Sequence, residues 1–466
     1  MRYVSTRGDA QSLSFESVTR TGLAPDGGLY LPSTWPCLDS DRLTALRGAP
    51  YHSFAVEVMR PFVEGSLADA ELTALCKNSY SAFDYPAVTP LRQLDDRNWL
   101  LELFHGPSLA FKDIALQLLG RLFKTILERN REHLTIIGAT SGDTGSAALT
   151  AVADQPNMDI VMLHPAGRIS EVQRRQMTTL HAPNIHNVAI EGSFDDAQAI
   201  VKRMFTDPDV SGVLQLGAVN SINWARLMAQ IVYYFYAAVQ LGAPDREVAF
   251  SVPTGNFGDV FAGYVAKQMG LPIHRLIVAT NENDILHRAL ARSDYSRQGV
   301  VPTLSPSMDI QVSSNFERLL YCEGGRNGQA TAAQMREFER TGTLRLTDEQ
   351  LTGMGRVFSS AAIDNARCMQ AMRKTYDGTG VILDPHTAVG LAAARDLQAD
   401  GTIDPTVPMV TLATAHPAKF PDAVENAIGR RPDLPERFGD LFDQEERYTT
   451  LASHYDVVRD YVLQVR

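Results

Sequence analysis

Between about residues 133 and 281, short apolar runs alternate with longer stretches in which apolar residues recur every three to four positions. The first pattern indicates buried strands and the second amphipathic helices. Strands are predicted at 134–137, 160–163, 188–190, 213–216, 248–252 and 276–279. Helices are predicted just after Gly145 and at 172–177, 195–204, 222–241 and 260–269. Strand–helix alternation of this kind predicts an α/β fold, with parallel sheets covered by helices.

The sequence outside this region indicates additional structural units. Its 466 residues exceed what one ordinary hydrophobic core supports. Residues 1–88 show short mixed patterns and end near Pro86 and Pro90, so a junction is expected there. The predicted division is an N-terminal domain at 1–88, a catalytic region at 89–440 and a helical tail at 441–466.

Composition excludes several classes of protein. The net charge of -11 argues against nucleic acid and anionic membranes as partners. No apolar run has membrane length, and four cysteines without metal-ligand or redox spacing are typical of a reducing compartment, so the cytoplasm is expected. His181 and His186 lack a third ligand, and no metal site is predicted. P-loop and Gly-x-Gly-x-x-Gly motifs are absent.

Lys112 is the strongest candidate for chemistry. It lies between Phe111 and Asp113, directly before an apolar helical pattern. An apolar wall disfavours the ammonium form, and a neutral amine forms an imine with an aldehyde. Lys112 is therefore predicted to hold an aldehyde cofactor covalently. Taken alone, an ordinary solvent-reaching lysine at a helix start would be the more common interpretation.

Three segments at the ends of predicted strands add polar groups. Residues 140–145 (TSGDTG) form a hydroxyl-rich turn before a helix, and residues 253–259 (PTGNFGD) repeat this arrangement. Helix N-termini present backbone N–H groups to anions, and glycines let a phosphate approach closely. The third segment, 411–417, is a late strand that ends in hydroxyls and a histidine, and it offers the Thr414 hydroxyl, unless local backbone groups satisfy it.

Ordered motifs along nearly the whole chain resemble threonine synthase of the longer bacterial and fungal type. They occupy 105–113 (HGPSLAFKD), 140–145, 220–226 (NSINWAR), 253–259, 384–390 (DPHTAVG) and 412–420 (LATAHPAKF), with further matches at 3–8 and 24–32. The resemblance implies a fold-type-II pyridoxal-phosphate enzyme, related in fold to the tryptophan synthase beta subunit, with a mobile lobe at about 130–225.

The roles that the resemblance implies begin with pyridoxal 5'-phosphate, bound to Lys112 as a Schiff base. The glycine-rich turn supplies a phosphate cradle, and Thr414 supplies a neutral partner for the ring nitrogen, which makes the ring a weaker electron sink than an aspartate would. Asp143 stands where many relatives of this fold have asparagine near the phenolic oxygen. The cofactor set is Lys112, Asp143, Gly255, Asn256, Phe257, Gly258, Asp259 and Thr414.

For the substrate, the resemblance implies a carboxylate pocket at Thr140, Ser141 and Thr144. Asn220, Ser221 and Arg226 flank a helix start and suit a phosphate ester, although an arginine there could also pair with a carboxylate on the helix surface. His386 and His416 could act in the site or only hold loops.

The implied activity is that of a lyase in threonine biosynthesis, which converts O-phospho-L-homoserine and water to L-threonine and phosphate. A monomer or homodimer acting on this small molecule is expected. Two alternatives stay open: a pyridoxal-dependent serine or threonine dehydratase, which needs no phosphate pocket, and a silent paralogue that binds the cofactor without turnover. Intact Lys112 and 140–145 argue against the paralogue, and the group at 220–226 argues against the dehydratase.

Overall fold

The computed structural model describes residues 1–8, 11–167 and 169–465. The chain divides into two compact units: unit 1 comprises Met1–His105 and Ser221–Pro432, and unit 2 comprises Gly106–Asn220 and Asp433–Arg466. Each unit is therefore built from two separate chain segments. The predicted division at 88 and 440 follows sequence segments rather than packing, and it stays a prediction.

The helices and strands follow in chain order. The α-helices are α1 (Phe15–Thr21), α2 (Ser40–Ala45), α3 (Tyr51–Val63), α4 (Asp69–Tyr80), α5 (Lys112–Asn130), α6 (Asp143–Val152), α7 (Glu171–Thr178), α8 (Phe194–Thr206), α9 (Pro208–Ser211), α10 (Trp224–Gln240), α11 (Gly258–Gln268), α12 (Ile285–Arg292), α13 (Phe316–Glu323), α14 (Gly328–Thr341), α15 (Asp348–Val357), α16 (Asn365–Thr379), α17 (Pro385–Ala399), α18 (Pro421–Ile428) and α19 (Tyr455–Gln464). The strands are β1 (Tyr3–Ser5), β2 (Tyr30–Pro32), β3 (Leu91–Gln93), β4 (Asn98–Glu102), β5 (Leu134–Ala139), β6 (Met158–Pro165), β7 (Ile185–Glu191), β8 (Leu216–Gly217), β9 (Val248–Pro253), β10 (Ile273–Thr280), β11 (Tyr295–Ser296), β12 (Thr343–Leu344), β13 (Phe358–Ala362), β14 (Met409–Ala413) and β15 (Thr449–Ala452).

Unit 2 contains a parallel sheet in the order β15-β7-β6-β5-β8. The strands predicted at 134–137, 160–163 and 188–190 are confirmed. The strand predicted at 213–216 is wrong over most of its length, because Val213 is exposed in a turn after α9 and β8 begins only at Leu216. The tail predicted to be helical also supplies β15, which adds an edge strand beside β7.

Unit 1 contains a six-stranded sheet in the order β13-β10-β9-β14-β4-β3, parallel except for β3. Every residue of β9 is buried, as expected for a central parallel strand covered on both faces. Because β9 and β14 are neighbours and parallel, their carboxyl ends lie at the same sheet edge. That edge carries both residues 254–259 and Thr414.

Each unit has its own hydrophobic core. In unit 1 a cluster joins β9, β10 and β14 to α16 and α17, with Ile277, Leu391 and Met409 fully buried. In unit 2 the cluster joins β5, β6 and β7 to α8 and to α19, whose Val458 is fully buried. The C-terminal helix is therefore part of the core of unit 2.

Candidate active site

Lys112 is the first residue of α5, in unit 2. Its side chain is 13 % exposed, and its Nζ lies 3.4 Å from Asp143 Oδ2 and 5.5 Å from the centroid of the Phe111 ring. A carboxylate therefore interrupts the apolar wall that was expected around Lys112. This arrangement gives the amine a fixed acidic neighbour on the predicted 140–145 turn.

The loop before Lys112 is held by Asp113. The Asp113 carboxylate is fully buried and accepts hydrogen bonds from the Ser108 backbone N–H and hydroxyl, each at 2.8 Å. A Cβ at Gly106 would lie 2.5 Å from the Asp113 Cβ, so only glycine fits there. Sequence reasoning did not identify these roles of Gly106, Ser108 and Asp113.

The 140–145 turn is shaped by Thr140. Its buried Oγ1 accepts hydrogen bonds from the backbone N–H groups of Gly142, at 3.0 Å, and Gly145, at 2.9 Å. Ser141 is exposed and Thr144 is half-buried. Thr140 thus already has a structural role, and the carboxylate pocket predicted for these three residues stays a prediction.

Asp143 is oriented by a residue that sequence reasoning missed, Gln173 of α7. Gln173 Nε2 donates to Asp143 Oδ1 at 2.8 Å, and Gln173 Oε1 accepts from the Ser170 hydroxyl at 3.0 Å. One carboxylate oxygen thus faces Gln173 while the other faces Lys112. The signal in the sequence was faint, since Ser170 and Gln173 look only like an ordinary helix start.

In unit 1, residues 255–259 form a turn into α11. The Phe257 backbone is left-handed, with φ of 62°, and its buried ring packs on Phe316 and Phe358. In the described part of the chain, no protein acceptor is found for the backbone N–H groups of residues 256–259. Helix N-terminal N–H groups of this kind bind anions, so the turn fits the predicted phosphate cradle.

Asp259 points away from this cradle. Its buried carboxyl accepts hydrogen bonds from the hydroxyls of Tyr233 and Tyr234. Burial raises the pKa of Asp259 to about 6, while the two tyrosine hydroxyls oppose that shift. The cofactor-binding role predicted for Asp259 and Phe257 therefore rests on their backbone N–H groups, because both side chains are occupied in the core.

Thr414 follows β14 and is buried. Among the described residues, no hydrogen bond is found for its hydroxyl, which leaves the hydroxyl suited to a ring nitrogen. His416, nearby in the chain, accepts a hydrogen bond from the Ala418 N–H at its Nδ1. Burial, followed by the neighbouring His105, lowers the pKa of His416 to about 4, so this ring is a neutral loop cap.

His386 also holds a loop. Its Nδ1 lies 2.9 Å from Asp384 Oδ1, and its Nε2 accepts from the Ser307 N–H at 3.2 Å. The Ser307 carbonyl packs against Gly255, where a Cβ would meet it at 3.2 Å. Asp384 and His386 thus brace the segment beneath the 255–259 turn.

The three residues predicted for the phosphate ester lie in different surroundings. Asn220 is exposed at the end of a segment of unit 2, whereas Ser221 and Arg226 belong to unit 1. Asn315, missed by sequence reasoning, donates from Nδ2 to the carbonyls of Ser221, at 3.3 Å, and Asn256, at 3.0 Å. This amide ties the start of the 221–226 segment to the 255–259 turn.

Arg226 is a buried residue of α10, 4 % exposed. Burial lowers the pKa of its guanidinium to about 10. The alternative of a surface arginine is wrong. A guanidinium is a good ligand for a phosphate ester, and the phosphate-binding role of Arg226 stays a prediction.

Among the described residues, no group of histidine, cysteine and acidic side chains could hold a metal ion. None of the described helices is both long and apolar enough to span a bilayer.

Comparison with known proteins covers the whole chain. The family profile "Threonine synthase N terminus" matches residues 2–80, "Pyridoxal-phosphate dependent enzyme" matches 83–345, and "Threonine synthase, C-terminal" matches 387–462. A threonine synthase from Pseudomonas aeruginosa is 54% identical over 465 residues, covering 100% of this chain and 98% of that protein.

Two solved structures superpose along the full length. A pyridoxal-phosphate-bound threonine synthase from Brucella melitensis has a TM-score of 0.97 at 48% identity, covering 100% of this chain and 99% of that one. Yeast threonine synthase has a TM-score of 0.94 at 38% identity, with 100% and 98% covered.

Proposed function

This chain belongs to the threonine synthase family of pyridoxal-phosphate-dependent enzymes, and we propose that it converts O-phospho-L-homoserine and water to L-threonine and phosphate. It is a lyase of threonine biosynthesis. Against a dehydratase, the observation that carries most weight is the buried Arg226, since a dehydratase substrate has no phosphate to bind.

In this proposal Lys112 binds the cofactor aldehyde, with Asp143 beside it. The backbone N–H groups of residues 255–259 bind the phosphate, and the Thr414 hydroxyl pairs with the ring nitrogen. When bound, pyridoxal phosphate withdraws electrons from the substrate carbons near the amino group, which makes their protons removable.

The protein groups then bind, orient and move protons. The Lys112 amine takes and returns protons at the substrate Cα and Cβ. Asp143, held by Gln173, orients this amine through the 3.4 Å contact. The hydroxyls of Thr140, Ser141 and Thr144 receive the substrate carboxylate.

The leaving group needs positive charge where it departs. Asn220, Ser221 and Arg226 hold the phosphate at Cγ, and the guanidinium stabilises the charge that develops as the Cγ–O bond breaks. Water then adds its hydroxyl at Cβ and a proton at Cγ, so the products are threonine and phosphate.

We also propose a compartment, an oligomeric state and a division into functional segments, as expected from the sequence. The enzyme acts in the cytoplasm as a monomer or homodimer, without nucleic acid or membrane partners. Its functional segments are 1–88, 89–440 and the tail from 441, with 130–225 as the mobile lobe.

The test is inorganic phosphate release from O-phosphohomoserine, compared with turnover of serine and threonine. The proposal expects phosphate and threonine in equal amounts. Serine turnover without phosphate release would favour the dehydratase, and no turnover of any substrate would favour the silent paralogue.

Arg226→Leu tests the phosphate assignment. Loss of one charge-assisted contact to a buried anion costs about 2–5 kcal/mol, or roughly 30-fold to several thousand-fold in kcat/KM. Any slow reaction with serine should change far less, because serine carries no phosphate. The matched control is Arg292→Leu, an exposed arginine of unit 1. If the variant loses both activities in parallel, Arg226 is structural and the phosphate is bound elsewhere.

A further inference from the structure

Unit 2 contains a cavity beside the loop that precedes Lys112. Its volume is about 190 Å³, and its walls include Ser108, Gln176 of α7, and the chain from Arg437 to Gln444. At roughly 30 Å³ per water molecule, this space holds about six waters, which suits a small metabolite. None of the residues with roles in the proposed reaction lines it.

Gln176 is the feature that points to a ligand. The residue is 6 % exposed, yet neither Oε1 nor Nε2 has a hydrogen-bond partner in the described part of the chain. Gln173, one turn earlier on the same helix, donates a hydrogen bond from its amide to Asp143. A buried amide with no partner costs free energy, so a ligand that supplies both a donor and an acceptor would relieve that cost.

The wall formed by residues 437–444 offers both signs of charge. Arg437 and Asp440 lie on the same segment and are both exposed at the cavity. Phe438 and Leu441 provide apolar surface between and beside them. A cation, an anion and a neutral amide around a small space match a molecule that carries a carboxylate, an ammonium and a short polar group.

We propose that this cavity binds a small zwitterionic α-amino acid. Its carboxylate faces Arg437, its ammonium faces Asp440, and a short polar side chain, such as a hydroxyl, pairs with the Gln176 amide. Both threonine and serine have this chemistry, and neither exceeds the available volume.

The cavity is connected to the Lys112 loop by two contacts. Arg437 Nη2 donates to the Gly106 carbonyl at 2.5 Å, and Ser108 donates to Asp113, the residue after Lys112. A bound amino acid would therefore hold the 106–113 loop more firmly. Any effect of this ordering on turnover rests on the proposed function. Binding of the amino acid to the cavity does not depend on the proposed function.

Calorimetric titration of the holoenzyme with L-serine and with L-threonine, while cofactor absorbance is recorded, tests the proposal. We expect binding in the millimolar range or tighter, with a component of heat that leaves the cofactor absorbance unchanged. Propionate and propylammonium each lack one charge and should bind at least about tenfold more weakly.

Variants locate the binding. Gln176→Leu and Asp440→Asn should each weaken this component about tenfold, or about 1.4 kcal/mol. The matched control, Gln198→Leu on α8 of the same unit, should not change it. Since Asp440 is exposed, its variant keeps the test valid even if Gln176→Leu fails to fold.

Several results would overturn the proposal. They include no heat up to about 10 mM of either amino acid, heat that always accompanies a change in cofactor absorbance, and wild-type affinity in both variants. Equal binding of propionate would also overturn it, because the cavity would then be a simple anion site. Failure of the proposed reaction would appear separately, as absent phosphate release with the binding heat retained.

Discussion

At the scale of single residues, side chains that hold backbone and carboxylate groups in place surround those that are proposed to meet the cofactor. Asn315 joins Ser221 to Asn256, Gln173 aims Asp143, and His386 braces Ser307. Positions of this kind decide geometry at the level of a few tenths of an ångström, to which catalysis is sensitive.

His416 makes stability depend on pH. Its pKa is about 4 in the folded protein, below the ordinary value of 6.5, because burial disfavours the imidazolium. The unfolded chain therefore takes up a proton first as pH falls. The stabilisation is fully present above about pH 6.5 and declines by about 1.4 kcal/mol per pH unit down to about pH 4.

His416→Asn should flatten this dependence, since asparagine can still cap the Ala418 N–H. Between pH 6.5 and 5, the wild type should lose about 2 kcal/mol more than the variant, measured from urea unfolding midpoints of the holoenzyme. His454→Asn, at an exposed position, should leave the slope of stability against pH unchanged. Identical slopes for wild type and His416→Asn would show that His416 does not control the pH dependence of stability.

At the scale of elements, the turn from β5 to α6 depends on one glycine. Gly142 has φ of +135°, a conformation that side chains with Cβ rarely adopt, and a Cβ there would lie 2.6 Å from the Gln173 amide carbon. The turn and α7 are therefore packed so closely that the amide can reach Asp143.

Gly142→Ala should displace Gln173 from Asp143. We expect turnover to fall at least about tenfold while the cofactor stays attached, because the amine is no longer oriented. The control is Gly167→Ala, which also has positive φ but meets no atom within 4 Å. It should lose stability with little change in turnover. Similar turnover losses in both variants would mean that backbone strain, not the Gln173 contact, is responsible.

At the scale of the whole molecule, unit 2 is completed by the end of the chain. Strand β15 pairs with β7, α19 packs on α8, and Glu446 binds Arg174 through two hydrogen bonds of 2.8 and 3.0 Å. Glu446 also accepts from the Thr178 hydroxyl at 2.7 Å. These contacts close a unit whose two segments are more than 200 residues apart in sequence.

Glu446→Ala should weaken the packing between the two chain segments of unit 2. Loss of the charge-assisted contacts is expected to cost about 1–2 kcal/mol, since the groups are only partly buried and solvent screens them. Hydrogen exchange should rise in α7 and in residues 441–452. Glu445→Ala, at the exposed neighbouring position, should have little effect. Equal exchange in the two variants would show that β15 and α19 alone hold the two chain segments of unit 2 together.

Local structure was largely readable from the chain. The strands β5, β6, β9 and β10 were predicted within three residues of their observed ends, because central parallel strands are continuous apolar runs. The helix predicted at 195–204 is confirmed as α8, which starts directly after the capping box of Ser193 and Asp196. The strand predicted at 213–216 was mostly wrong, because an apolar run alone does not reveal that Val213 faces solvent.

The sequence by itself determined the succession of strands, turns and helices, the family, and Lys112 as the candidate for chemistry, since these depend on local periodicity and on motifs of adjacent residues. Only the tertiary structure decided which asparagine and histidine side chains hold the backbone around the site. Asn315 reaches Ser221 across 94 positions, and His386 reaches Ser307 across 79. An asparagine or histidine looks the same in sequence whether its partner is solvent or a distant backbone group, because packing alone brings donor and acceptor together.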